Sequence, residues 1–105
     1  MSYCWVYTTT AGMEEAKTIG HILVEERLAA CVNIWPEILS IYRWSGSVEQ
    51  DREVALVAKT KADCFDSIKN RILELHSYDN PCILQVPITD GALPYLKWIN
   101  DETSI

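Results

Sequence analysis

The sequence predicts an α+β sandwich in the order β-α-β-β-α-β, closed by one further helix. Three observations carry that expectation. Aromatic and β-branched segments alternate with segments whose apolar residues recur at helical spacing. A tight Ser45-Gly46-Ser47 turn joins two long extended arms. Pro36 and Pro87 fall inside strand-like text, where a missing N–H is tolerated only at a sheet edge or a bulge.

Each element has its own warrant. Tyr3 to Thr10 reads as the first strand, broken by Ala11-Gly12. Met13 to Ala29 carries Ala16, Ile19, Leu23 and Leu28 at roughly helical spacing, with Glu14 and Glu15 where the helix dipole favours acids. Cys31 to Trp44 is a long second strand interrupted at Trp35-Pro36, and Val48 to Thr60 is a third with period-two character. Thr60-x-x-Asp63 has capping-box spacing before a second helix built on Phe65, Ile68, Ile72 and Leu75. Cys82 to Ile88 is the fourth strand. Asp90 is the expected cap of a last helix with Pro94 in its first turn and Tyr95, Leu96 and Ile99 as its inner face. The order satisfies a ferredoxin-like sandwich, in which the second and fourth strands are the edges.

Composition narrows the function classes. Residues 1–105 read as one domain, long enough to bury a core without staples. The net charge of −6 gives no electrostatic route to a phosphate backbone, so no nucleic-acid partner is expected. No apolar run approaches a bilayer span, and Met1-Ser2-Tyr3 runs straight into a strand, so no membrane partner and a cytoplasmic location are expected. The four Cys show no Cys-x-x-Cys and read as free thiols, with Cys4, Cys31 and Cys82 as small buried hydrophobes.

The two hairpin strands overshoot their neighbours by about 15–20 Å at ~3.3 Å per residue. A bare two-stranded ribbon is marginal in water, and Tyr42 and Trp44 lie on the overhang. Closed cyclic assembly, each subunit receiving its neighbour's hairpin, satisfies both demands. Glu49, Asp51 and Glu53 form an acidic row, read as a solvated face countered by Arg43 and Arg52.

Leu28-Ala29-Ala30-Cys31-Val32-Asn33-Ile34, Ser40-Ile41-Tyr42-x-Trp44-x-Gly46-x-Val48-Glu49, Lys59-Thr60 and Tyr95-Leu96-x-Trp98-Ile99 together resemble the CutA divalent-cation tolerance family. The resemblance covers nearly the whole chain. It implies a homotrimer of ferredoxin-like subunits, similar in architecture to PII signalling proteins, cytoplasmic and serving divalent-metal, chiefly copper, tolerance. It also implies a metal site at the positions here held by Thr8, Leu75 and His76, of which only His76 keeps a ligand. One imidazole makes no tight transition-metal site alone. Copper binding through His76 is therefore expected to be weak, with Cys31 or Cys82 as conceivable thiolate help, and no cofactor is required. His21 reads as a surface residue.

Trp44, Glu49, Lys59, Tyr95 and Trp98 combine aromatic walls with an acid and a base. They suit an intersubunit cleft for a small polar ligand, or else an interface core with an ion pair. No nucleophile elbow, Walker loop, metalloprotease helix or dinucleotide fingerprint occurs, so an enzyme is not expected. The leading expectation is a non-enzymatic metal-tolerance trimer. The alternative is a PII-like small-molecule sensor with its ligand in the subunit clefts.

Overall fold

The computed structural model describes residues 1–104. Its elements are β1 (Tyr3–Thr10), α1 (Met13–Glu25), β2 (Cys31–Trp44), β3 (Ser47–Lys61), α2 (Phe65–Leu75), β4 (Ile83–Ile88) and α3 (Leu93–Glu102), with a 3-10 turn at Ala62–Cys64. The strands form one antiparallel sheet in the order β2-β3-β1-β4. This is the expected ferredoxin-like arrangement, with both prolines on edge strands.

Pleating decides which side chains are core. Val54, Leu56 and Ala58 of β3 and Cys4 and Val6 of β1 point to one side. There they meet Ala16, Ile19 and Leu23 of α1 and Ile68 and Ile72 of α2. Gly20 lets α1 approach β2: a Cβ on it would stand 3.2 Å from Val32 Cγ1. The other side of the sheet carries no helix over most of its area and exposes Trp5, Trp35, Leu84 and Val86.

Four local expectations are corrected. The first helix stops at Glu25 rather than Ala29, because Arg27 takes a left-handed conformation (φ 60) and reverses the chain. Arg27 holds that conformation by donating from Nη2 to Asp101 O (2.8 Å) and from Nε to Glu102 O (3.2 Å) at the end of α3. Thr60 is the penultimate residue of β3, not a cap; its hydroxyl donates to Leu28 O at 2.6 Å. Ala92, not Asp90, precedes α3, and the Asp90 carboxylate accepts from the Gly91 N–H. Of the cysteines, Cys4 and Cys64 are buried, while Cys31 and Cys82 are only half-buried.

The hairpin is as long as expected. β1 pairs with β3 only over Val54 to Lys61, so Ser47 to Glu53 extends past the rest of the sheet, about 23 Å at ~3.3 Å per residue. The molecule is accordingly elongated, 45 × 25 × 22 Å. Ser45 (φ 49) and Gly46 (φ 81) form the two-residue turn, both at positive φ, the geometry that matches strand twist. A bulge at Pro36 and Glu37 separates the pair Trp35–Ala55 from the pair Ile38–Glu53. It marks where the base of the hairpin ends and the overhang begins.

Candidate functional site

Alternation along the overhang sorts its side chains into two rows. Leu39, Ile41 and Val48 lie with Arg43, Gln50 and Arg52 on the helix side of the sheet plane. Tyr42, Trp44, Glu49, Asp51 and Glu53 lie on the other. The arginines therefore do not counter the acidic row as expected. Arg52 instead stands 3.7 Å from Glu37.

The acidic row is partnered by phenols. Tyr42 donates to the Asp51 carboxylate across the ribbon. Tyr78, from the loop after α2, reaches over to donate to Glu53 Oε1 at 2.8 Å. Its loop and the overhang enclose an open cleft of about 540 Å³, lined also by Thr9, Trp44, Ser77, Asp79, Asn80 and Cys82. Its hydrogen bond to Asp51 pushes the Tyr42 phenol up to about 12. Burial, then Glu53, pushes the Tyr78 phenol up, and burial with Glu53 does the same to the Cys82 thiol.

His76 is what anchors this loop. Its imidazole is fully buried. Nε2 lies 2.7 Å from Thr9 O, and a carbonyl can only accept, so Nε2 carries the proton. Nδ1 accepts from the Tyr78 N–H at 3.0 Å. Glu15 braces the same loop by accepting from Ser77 N (2.7 Å) and Ser77 Oγ (3.0 Å). Burial alone would raise the Glu15 carboxyl, but the Ser77 bonds, the neighbouring His76 and the Ala11 N–H outweigh it and leave it below the usual carboxylate range.

At the other positions implied for the metal site, Thr8 is buried with its hydroxyl unbonded, and Leu75 packs against the core. Among the described residues no three His, Cys, Asp or Glu side chains come together to hold a metal ion. Within one protomer, then, the residues present do not fit a metal centre, and both His76 nitrogens are engaged by protein groups. His21 lines a shallow groove with Lys17, Val24 and Val32.

The five residues expected to share a cleft fall into two groups. Lys59, Tyr95 and Trp98 meet: Lys59 Nζ donates to Tyr95 Oη at 3.2 Å, and the Tyr95 and Trp98 rings are 5.4 Å apart. Trp44 and Glu49 lie on the overhang, about 40 Å and about 33 Å from Lys59 at ~3.3 Å per residue along β3. Only another copy's hairpin could bring all five together. The sequence reading missed Tyr78, whose signal was absent: nothing in a polar loop announces which strand it will cross.

The family model for the CutA1 divalent ion tolerance protein matches residues 4–102. This chain belongs to the CutA1 family. The divalent-cation tolerance protein CutA of Thermus thermophilus is 47% identical over 93% of this chain and 95% of its own length. The CutA protein of Archaeoglobus fulgidus is 41% identical over 94% and 95%. Among solved structures, CutA1 from Oryza sativa superposes with a TM-score of 0.96 at 36% identity, covering 99% of this chain and 95% of that one. The Thermus thermophilus protein superposes at 0.94 and 45% identity, covering 97% and 99%. The CutA resemblance and the α+β fold expected from sequence thus hold, as does membership in a family of divalent-cation tolerance proteins.

Proposed function

We propose that the chain acts as a non-enzymatic homotrimer in divalent-cation tolerance, copper included, in the cytoplasm. The observation that carries the assembly is the unfinished surface of the single chain. Leu39, Ile41 and Val48 are 58%, 65% and 66% exposed in one row of the overhang, and the helix-free sheet face exposes Trp5, Trp35, Leu84 and Val86. With about two-fifths of Trp5 exposed, covering it is worth roughly 2 kcal/mol at ~25 cal/mol per Å² before the costs of association. Two-stranded ribbons are also marginal without a partner. A closed ring in which each overhang lies against the next subunit covers both surfaces. The number three comes from the family resemblance. Four free thiols suit a reducing compartment.

Cation handling in this reading does not depend on a tight site in one protomer. Copper binding through His76 is weak, since the imidazole must first release Thr9 O and the Tyr78 N–H. Sedimentation tests the assembly: a species of three times the 12.0 kDa chain mass is expected at micromolar concentration. The double substitution Leu39→Glu with Ile41→Glu should dissociate it while leaving helical content intact. A monomeric wild-type chain would refute the reading. Titration with Cu(II) tests the metal role: weak binding lost in His76→Ala is expected, and nanomolar affinity that survives that change contradicts it.

A further inference from the structure

We infer that Lys59, at the base of the sheet, takes Glu49 from the hairpin tip of the next copy of this chain, so that the helix-free face docks on itself tip to base. The inference rests on the assembly reading above and goes beyond it by naming the charged contact that sets where each arm lies.

Pleating puts both ends of the interaction on one face. The odd-numbered residues of β3 share a side, so Glu49, Asp51 and Glu53 of the overhang lie on the same helix-free face as Ala55, Val57 and Lys59 of the base. That face is acidic at its tip and basic at its base. Lys59 stands opposite Trp5 on β1 and Cys31 on β2. Its Nζ donates to Tyr95 Oη at 3.2 Å and lies 5.4 Å from the centre of that ring, with Trp98 packed beside Tyr95. No carboxylate among the described residues forms an ion pair with it. Trp5, Tyr95 and Trp98 are all exposed in the single chain.

Covering those rings also removes water from Lys59. An ammonium dehydrated without a counter-charge opposes association, so the aromatic rim closes only if an anion arrives with its cover. The overhang supplies one. Asp51 and Glu53 already accept from Tyr42 and Tyr78 of their own chain. Glu49 forms no ion pair among the described residues and is exposed. The exposed Trp44 lies diagonal to it across the ladder. One tip therefore brings a carboxylate and a ring to a base that offers an ammonium and three rings. Reach suffices: an overhang of about 23 Å laid crosswise exceeds the ~14 Å across four strands at ~4.8 Å spacing. A tip that meets a different patch of its copy is a heterologous contact, the kind that closes into a ring. Every arm in such a ring stands between two neighbours, which leaves the second one to cover the Leu39, Ile41 and Val48 row.

Charge reversal tests the pair by sedimentation, at the urea concentration where the wild-type oligomer is half dissociated. Lys59→Glu and Glu49→Lys should each weaken association at least about tenfold. The two together should restore it to within about threefold of the wild type. Glu53→Lys makes the same change in the same row, and Lys59→Glu should not rescue it. Circular dichroism identifies any variant that fails to fold. Lys59→Met and Glu49→Gln then take its place, and together they should cost no more than the costlier of the two alone. Single reversals without effect overturn the inference. So do losses that the combination leaves unrepaired, which would mark Lys59 as the seat of a small anionic ligand, and so does rescue of Glu53→Lys. In each of these cases an oligomeric wild type leaves the assembly reading standing. A monomeric wild type overturns both.

Discussion

From Ala55 to Lys59, β3 is flanked on both sides; from Ser47 to Glu53 it has one neighbour. The first stretch alternates between a helix-packed core and an open apolar face, and nearly every residue in it is buried. The second is exposed nearly throughout, and two of its three carboxylates, Asp51 and Glu53, accept from tyrosine hydroxyls. One continuous strand thus serves two purposes. Its base stabilises the protomer, and its outer half leaves its groups exposed. Burial and exposure are divided along the strand axis, at the bulge.

Substitutions at the base should act on folding. Leu56, fully buried under α1, is the most sensitive point: Leu56→Ala should lower unfolding free energy by about 3 kcal/mol in a denaturant titration. A tip substitution should act less on folding and more on order. Gly46→Val places a β-branched residue at φ +81, about 2 kcal/mol of local strain, yet it should lower the global melting midpoint by less than Leu56→Ala does. Equal losses from the two would erase the division proposed between the halves.

The loop that spans both regions gives a pH test. The Glu15 carboxyl ionises more easily in the folded chain than its reference value of 4.5. Its contribution is therefore complete above that value and is lost as pH falls through the lower folded one. Glu15→Gln should cost about 1 kcal/mol at neutral pH and nothing near pH 2, measured as the difference between the two proteins' unfolding curves. A gap that persists in acid would mean Glu15 acts by packing. The smallest effect is expected on α3, where Lys97 and Asp101 form an exposed pair at 2.6 Å; Lys97→Ala should leave the melting midpoint unchanged.

Much of the architecture was legible because it depends on local chemistry. Tyr3–Thr10 and Cys31–Trp44 appear with the bounds read from sequence, and Pro36 and Pro87 correctly marked the edges. The end of α1 was not legible, because Leu28 and Ala29 continue the apolar pattern while Arg27 has already turned the chain, held by carbonyls of α3 far away in sequence. The capping role given to Thr60 failed for a similar reason: its hydroxyl found Leu28 O instead. The candidate site was half legible. Period two placed Glu49, Asp51 and Glu53 together, and the cross-strand register places Tyr42 and Trp44 beside them. Tyr78 and the buried role of His76 depend on how a loop crosses the sheet, which residue spacing does not encode.

The bulge at Pro36 and Glu37 sets direction without setting identity. Because these two residues together face Val54, deleting Glu37 would leave Ile38 opposite Glu53 and Trp44 opposite Ser47. Every rung of the ladder would survive, while the extra twist a bulge imparts would vanish. The compass bearing of the tip is thus written at a position roughly 20 Å away from it, at ~3.3 Å per residue. A single-codon deletion could swing the arm to a new heading with its side chains still in their original rows.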